Sequence, residues 1–74
     1  MNLSELKVGE SAKVKWLDNN QKTKSRLNNI GLTEGVTVKL IRIAPLGDPL
    51  EIMVREFYLA LRIADAKNIK VVKV

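Results

Sequence analysis

Residues 36–54 read VTVKLIRIAPLGDPLEIMV. At first the stretch alternates, with Val36, Val38 and Leu40 apolar and Thr37 and Lys39 polar. A period of two marks a strand with one buried face and one wet face. After Leu40 the phase slips, and Ile41 and Ile43 become the apolar set around Arg42. A one-residue slip turns side chains to the opposite face unless a bulge or bend absorbs it. The stretch therefore predicts a strand that bends near Leu40 and Ile41. Small barrels use such bends to let one strand serve two sheets.

The next segment, APLGDP (Ala44–Pro49), holds both prolines of the chain and one of its four glycines. Pro45 and Pro49 fix φ and remove two N–H donors, so a sheet ladder cannot continue through them. They also push Ala44 and Asp48 toward extended conformations. Gly47 supplies the turn. The segment is a stiff, projecting connection held open at low entropic cost. Leu46 at its tip either folds back to close the barrel end or meets another protein. Beyond it, Leu50, Ile52 and Val54 alternate with Glu51, Met53 and Arg55. A tight turn near Arg55 and Glu56 leads to Phe57, Leu59, Leu61 and Ile63 on one face, with Tyr58, Ala60 and Arg62 on the other. The pair reads as a hairpin.

Toward the N-terminus, Ala12, Val14 and Trp16 oppose Lys13 and Lys15, a further strand. Before it, Leu3 and Leu6 lie one helical turn apart, with Ser4 as the candidate cap and Gly9 as the breaker. Asp18, Asn19 and Asn20 are turn and N-cap residues. Gln21 to Asn29 then predicts a short polar helix, with Leu27 and Ile30 on one face and Gly31 at its C-terminal end. Past the hairpin, Asp65 is the candidate cap of a single helical turn, and IKVVKV closes the chain as a strand. The total is about five strands, one short helix and a helical turn, without the β-α-β alternation of a parallel sheet. The predicted class is mainly β, a small bent antiparallel barrel of the SH3-like or OB-like kind.

The chain has 74 residues, room for one domain over 1–74. Such a chain buries only roughly 60% of its unfolded surface. It has neither Cys nor His, so disulfides and a structural zinc are not available as staples. No apolar run approaches a membrane span, and the first residues lack a signal-peptide pattern, so a cytoplasmic protein is expected.

The same composition narrows the function. Without His or Cys, the usual general base and best nucleophile are missing, and no phosphate-cradling glycine motif is present. An enzyme is not expected. A transition-metal site lacks imidazole and thiolate ligands. The net charge of +5 permits acidic partners, but the 13 basic residues are spread along the chain, with Lys22, Lys24 and Arg26 the nearest thing to a cluster. Single-strand nucleic-acid readers need several exposed aromatics. Here Trp16 and Phe57 fall on core phases and only Tyr58 reads as outward.

The residues RLNNIGLTEGVTVKLIRIAPLGDPLEIMVREFYLALR (26–62) strongly resemble the FeoA family, small SH3-like proteins of ferrous iron uptake. The pattern carried includes Arg26-Leu27, Ile30-Gly31-Leu32, Gly35, Arg42, the whole APLGDP loop, Arg55 and the LALR ending at Arg62. Departures are Glu34, where many members carry Pro, and Glu56, where many carry Gly. The resemblance implies a cytosolic accessory protein acting beside FeoB, the membrane ferrous-iron transporter with a cytosolic G-protein domain, and peripheral to the membrane only through that partner. From the residues themselves, no cofactor and no catalytic residue are expected.

Two regions are the candidate partner contacts. One is the helix end and turn, Leu27, Ile30 and Leu32; the other is Leu46, Gly47 and Asp48. The competing reading of Leu27 and Ile30 is that they dock the helix on the sheet. Arg26 is a candidate arginine finger for the partner's GTPase. Arg26, Arg42 and Arg62 are also candidates for ion pairs within the chain or with a partner. The alternatives kept open are a small nucleic-acid-binding barrel and a weak iron-binding module.

Overall fold

The computed structural model describes residues 1–17 and 21–74, with the backbone alone at residues 16, 17, 21 and 23. A 3₁₀ turn at Leu3–Glu5 precedes β1 (Ser11–Leu17), α1 (Gln21–Asn29), β2 (Thr37–Ile43), β3 (Leu50–Val54), β4 (Phe57–Leu61), α2 (Ile63–Ala66) and β5 (Ile69–Lys73). The five strands form one antiparallel sheet in the order β4-β3-β2-β1-β5. This is the mainly β, SH3-like barrel architecture that the sequence predicts, with β4 and β5 as the sheet's two edges.

The predicted bend in β2 is a bulge. Leu40 pairs with Ile52, but the next pair is Arg42 with Glu51, so Ile41 is the extra residue. The bulge absorbs the phase slip: Leu40 opposes Ile52 and Ile43 opposes Leu50, so all four side chains share one face, with Ile43 still 42% exposed at the end of its strand. A second register shift lies in β1 between Val14 and Trp16. The β3–β4 hairpin closes on Val54 and Phe57, leaving a two-residue turn at Arg55 and Glu56.

The core is wholly apolar among the described residues. It includes Leu3, Val14, Leu27, Leu32, Val38, Leu40, Ile52, Val54 and Ile69, each at most 1% exposed. Burying one such side chain contributes about 1.5–3 kcal/mol, which matters in a chain this short.

The helix α1 ends as its sequence requires. Gly31 N–H donates to Asn28 O at 3.1 Å and Leu32 N–H to Leu27 O at 2.9 Å. This double closure needs a left-handed residue at its centre, and Gly31 has φ +98°. Leu27 and Leu32, the two residues that the closure brings together, are both buried.

Three local expectations are corrected and one open alternative, at Leu46, is decided. The first turn is capped by Asn2, not Ser4: Asn2 Oδ1 accepts from Ser4 N–H at 3.0 Å, and Glu5 Oε1 accepts from Asn2 N–H at 2.9 Å. Asp65 does not cap α2 but lies in its first turn, after the N-cap Arg62. Phe57 is not a core residue; it is 41% exposed, because it begins an edge strand, with the tip of its ring against Gly31. Leu46 does not fold back; it is 97% exposed. The caps expected at Asp18, Asn19 and Asn20 and the core role of Trp16 lie outside the described residues.

Candidate docking surface

The loop between β2 and β3 is closed at its base. Ala44 N–H donates to Pro49 O at 3.0 Å, and Gly47 N–H donates to Ala44 O at 2.7 Å. Gly47 adopts φ +89°. Asp48 is exposed, and its Oδ1 accepts a hydrogen bond from Ile63 N–H at 3.1 Å. The loop is thus tied at one end to its own strands and at the other to α2. Leu46 is the most exposed large apolar side chain among the described residues.

A groove runs between α1 and the end of β4. Arg26, Leu27 and Ile30 line one side; Ala60, Leu61 and Arg62 line the other. Arg62 also lines a smaller depression with Asp48 and Pro49. Arg62 therefore joins the two regions proposed from the sequence, a role its position at the end of LALR did not reveal. Asp65, also on the groove, pairs with Arg26 at 2.6 Å.

The predicted contact residues separate into two sets. Arg26, Ile30, Leu46 and Asp48 are exposed, and Gly47 is half-buried beside Leu46. Leu27 and Leu32 are at most 1% exposed, so they cannot be primary contacts and act by docking α1 on the sheet. Ile30 lies three residues from Leu27 yet is 40% exposed, because it sits at the rim of the helix end rather than beneath it.

Several charged groups are paired within the chain. Arg42 Nε meets Glu51 Oε2 at 2.8 Å, Lys24 Nζ meets Glu34 Oε1 at 3.8 Å, and Lys73 Nζ meets Glu10 Oε2 at 2.6 Å. Glu10 Oε1 also accepts from Lys7 N–H at 2.7 Å. The Lys73 ammonium, and then the Lys7 N–H, hold the Glu10 carboxyl below the usual glutamate range. Among the described residues no three acids come together in a way that could hold a metal ion. No described helix is long and apolar enough to cross a membrane. The surface offers an exposed apolar loop tip and a groove flanked by charged residues.

The sequence model of the FeoA domain matches residues 1–73. The chain belongs to the FeoA family. Its fold superposes on FeoA of Chlorobium tepidum with a TM-score of 0.92 at 38% identity, covering 100% of this chain and 70% of that one. A FeoA of Stenotrophomonas maltophilia, described as a prokaryotic SH3 domain protein and complexed with zinc, gives 0.81 at 35% identity over 96% of this chain and 88% of that one. The Fe(2+) transport protein A/Fe(2+) transporter FeoB fusion protein of Porphyromonas gingivalis is 31% identical over 71 residues. That match takes in 96% of this chain but 8% of the fusion protein.

Glu56, a departure from the common FeoA pattern, is not itself in a left-handed conformation. The positive φ of the turn, 55°, falls on Arg55. The turn thus places its left-handed residue one position before Glu56.

Proposed function

We propose that this chain is a cytoplasmic accessory protein of ferrous iron uptake, which docks on the cytosolic part of a FeoB-type transporter and modulates its assembly or activity. The observation that carries the reading is the Porphyromonas gingivalis relative, in which a FeoA segment and a FeoB transporter are one polypeptide. Fusion raises the effective concentration of one part at the other, an advantage only where the two meet. On this chain the loop tip Leu46 is the principal contact. The loop is braced by its own backbone bonds and by Asp48, so little order has to be gained on binding. Arg26 and Ile30 extend the contact along the groove.

The test is titration of the isotope-labelled chain with the cytosolic G-protein domain of a FeoB-type transporter. Binding should perturb the amides of residues 44–49, and Leu46→Asp should weaken it by about tenfold or more while the fold is kept. Absence of binding by the unaltered chain overturns the reading; full binding by Leu46→Asp moves the contact away from the loop. Single-turnover GTP hydrolysis with and without Arg26→Ala decides between a finger and a docking residue. Hydrolysis unchanged by the added protein rules the finger out.

A further inference from the structure

The two edges of the sheet are not alike. The β5 edge is covered by the N-terminus: Asn2 bridges Lys70, and Val71 N–H donates to Met1 O at 2.9 Å. Nothing comparable covers β4 among the described residues. Sheet edges are ordinarily blunted by Lys, Pro or a bulge. Phe57–Leu61 carries neither residue type, and its register with β3 runs without a shift.

The hairpin register says which backbone groups are open. A two-residue turn closed by Val54 and Phe57 makes that pair one that exchanges both hydrogen bonds. By alternation the Leu59–Ile52 and Leu61–Leu50 pairs do the same. The N–H and C=O groups of Tyr58 and Ala60 then point away from β3, into the open edge. The groove between α1 and Ala60, Leu61 and Arg62 runs beside the end of this edge. Tyr58 is 69% exposed and Ala60 is also exposed.

We propose that two copies of this chain associate by antiparallel pairing of β4 with β4 about a two-fold axis at Leu59. In that register Tyr58 and Ala60 of one copy exchange ladder bonds with Ala60 and Tyr58 of the other, Phe57 lies across from Leu61, and Glu56 lies across from Arg62. The charges decide the register. The side chains of Glu56 and Arg62 have no hydrogen bond or ion pair among the described residues, whereas Arg26, Arg42, Lys24 and Lys73 each have an acid. An axis at Tyr58 or Ala60 instead would separate Glu56 from Arg62, and parallel pairing would set like charges side by side. Opposite charges directly across an antiparallel pair stabilise it, and like charges destabilise it. The exposed face of Phe57 gains cover in the same step. This inference does not rest on the transporter reading, although Ala60, Leu61 and Arg62 also border the groove used there.

The experiment follows sedimentation and amide exchange over a concentration series of the full chain. Association should be reversible, and protection should rise with concentration at the Tyr58 and Ala60 amides. Ala60→Pro removes only an edge-facing N–H and should abolish association with the β3 ladder intact. Glu56→Arg and Arg62→Glu should each weaken association by about tenfold, and the double exchange should restore most of it. The double exchange keeps the test valid if the proline variant fails to fold. A chain that stays monomeric throughout overturns the proposal. So does association indifferent to both the proline and the charge exchange, protection at another surface, or a β4 edge that pairs only with a different protein.

Discussion

The Asp48 carboxylate accepts a hydrogen bond from the backbone N–H of Ile63, 15 residues further along the chain, at 3.1 Å. The first N–H groups of a helix have no partner within it. Arg62, the N-cap of α2, offers no capping side chain. The β2–β3 loop therefore supplies the cap from a distance, and in return α2 pins the loop that holds Leu46 in solvent. Asp48→Ala should cost about 0.5–2 kcal/mol, with the lower end expected for so exposed a bond. Asp48→Asn, which keeps an acceptor, should cost less. Urea unfolding of the three proteins checks the order.

Gly31 and Phe57 are a steric pair. A Cβ at Gly31 would stand 2.7 Å from Phe57 Cζ, and the φ of +98° is one that side chains rarely adopt. Gly31→Ala should therefore lose stability twice over, by about 1–3 kcal/mol for the backbone and more for the displaced ring. Adding Phe57→Ala should return the steric part and leave the backbone part. A double-mutant cycle from thermal unfolding separates the two.

Leu27 and Ile30 share a helix face but not an environment. Leu27→Ala should cost about 2–5 kcal/mol, as for a deleted core side chain. Ile30→Ala, at 40% exposure, should cost about 1 kcal/mol or less. Denaturant midpoints measure both, and near-equal losses would put Ile30 beneath the helix after all.

Glu10 ties β5 to the turn before β1 and predicts a sensitivity to acid. Its carboxyl is held below the usual glutamate range, chiefly by Lys73. Between that lowered value and the ordinary one, the unfolded chain binds a proton that the folded chain refuses. The Glu10 contribution is thus complete above the ordinary glutamate range and is lost as pH falls through the lowered value. Glu10→Gln should flatten the acid side of the Tm-against-pH curve relative to the unaltered chain. Scanning calorimetry from neutral pH downward checks the slope.

Several of these features are legible in the sequence because they are local. The slip after Leu40 breaks a period of two within a single strand, so it marks a bulge wherever that strand lies. Gly31 stands where a helix must stop in a left-handed turn, and a two-residue hairpin needs only the alternation on either side of Arg55 and Glu56. Prolines at both ends of APLGDP forbid the ladder whatever surrounds them. From such short-range constraints the chain alone determined its strands, its helix and the stiffness of its loop.

Tertiary structure decided what covers each face, because burial depends on parts of the chain that sequence spacing does not bring together. Alternation put Phe57 in phase with Leu61, but an edge strand with little over its first residue leaves Phe57 41% exposed and Leu61 at 2%. Helical spacing put Leu27 and Ile30 on one face, and only the rim of the docked helix separates them. The partner of Asp48 is a backbone N–H on another element, so no local pattern could name it. Leu46 stays in solvent because the loop is held at both ends, a constraint that exists only once β2, β3 and α2 have come together.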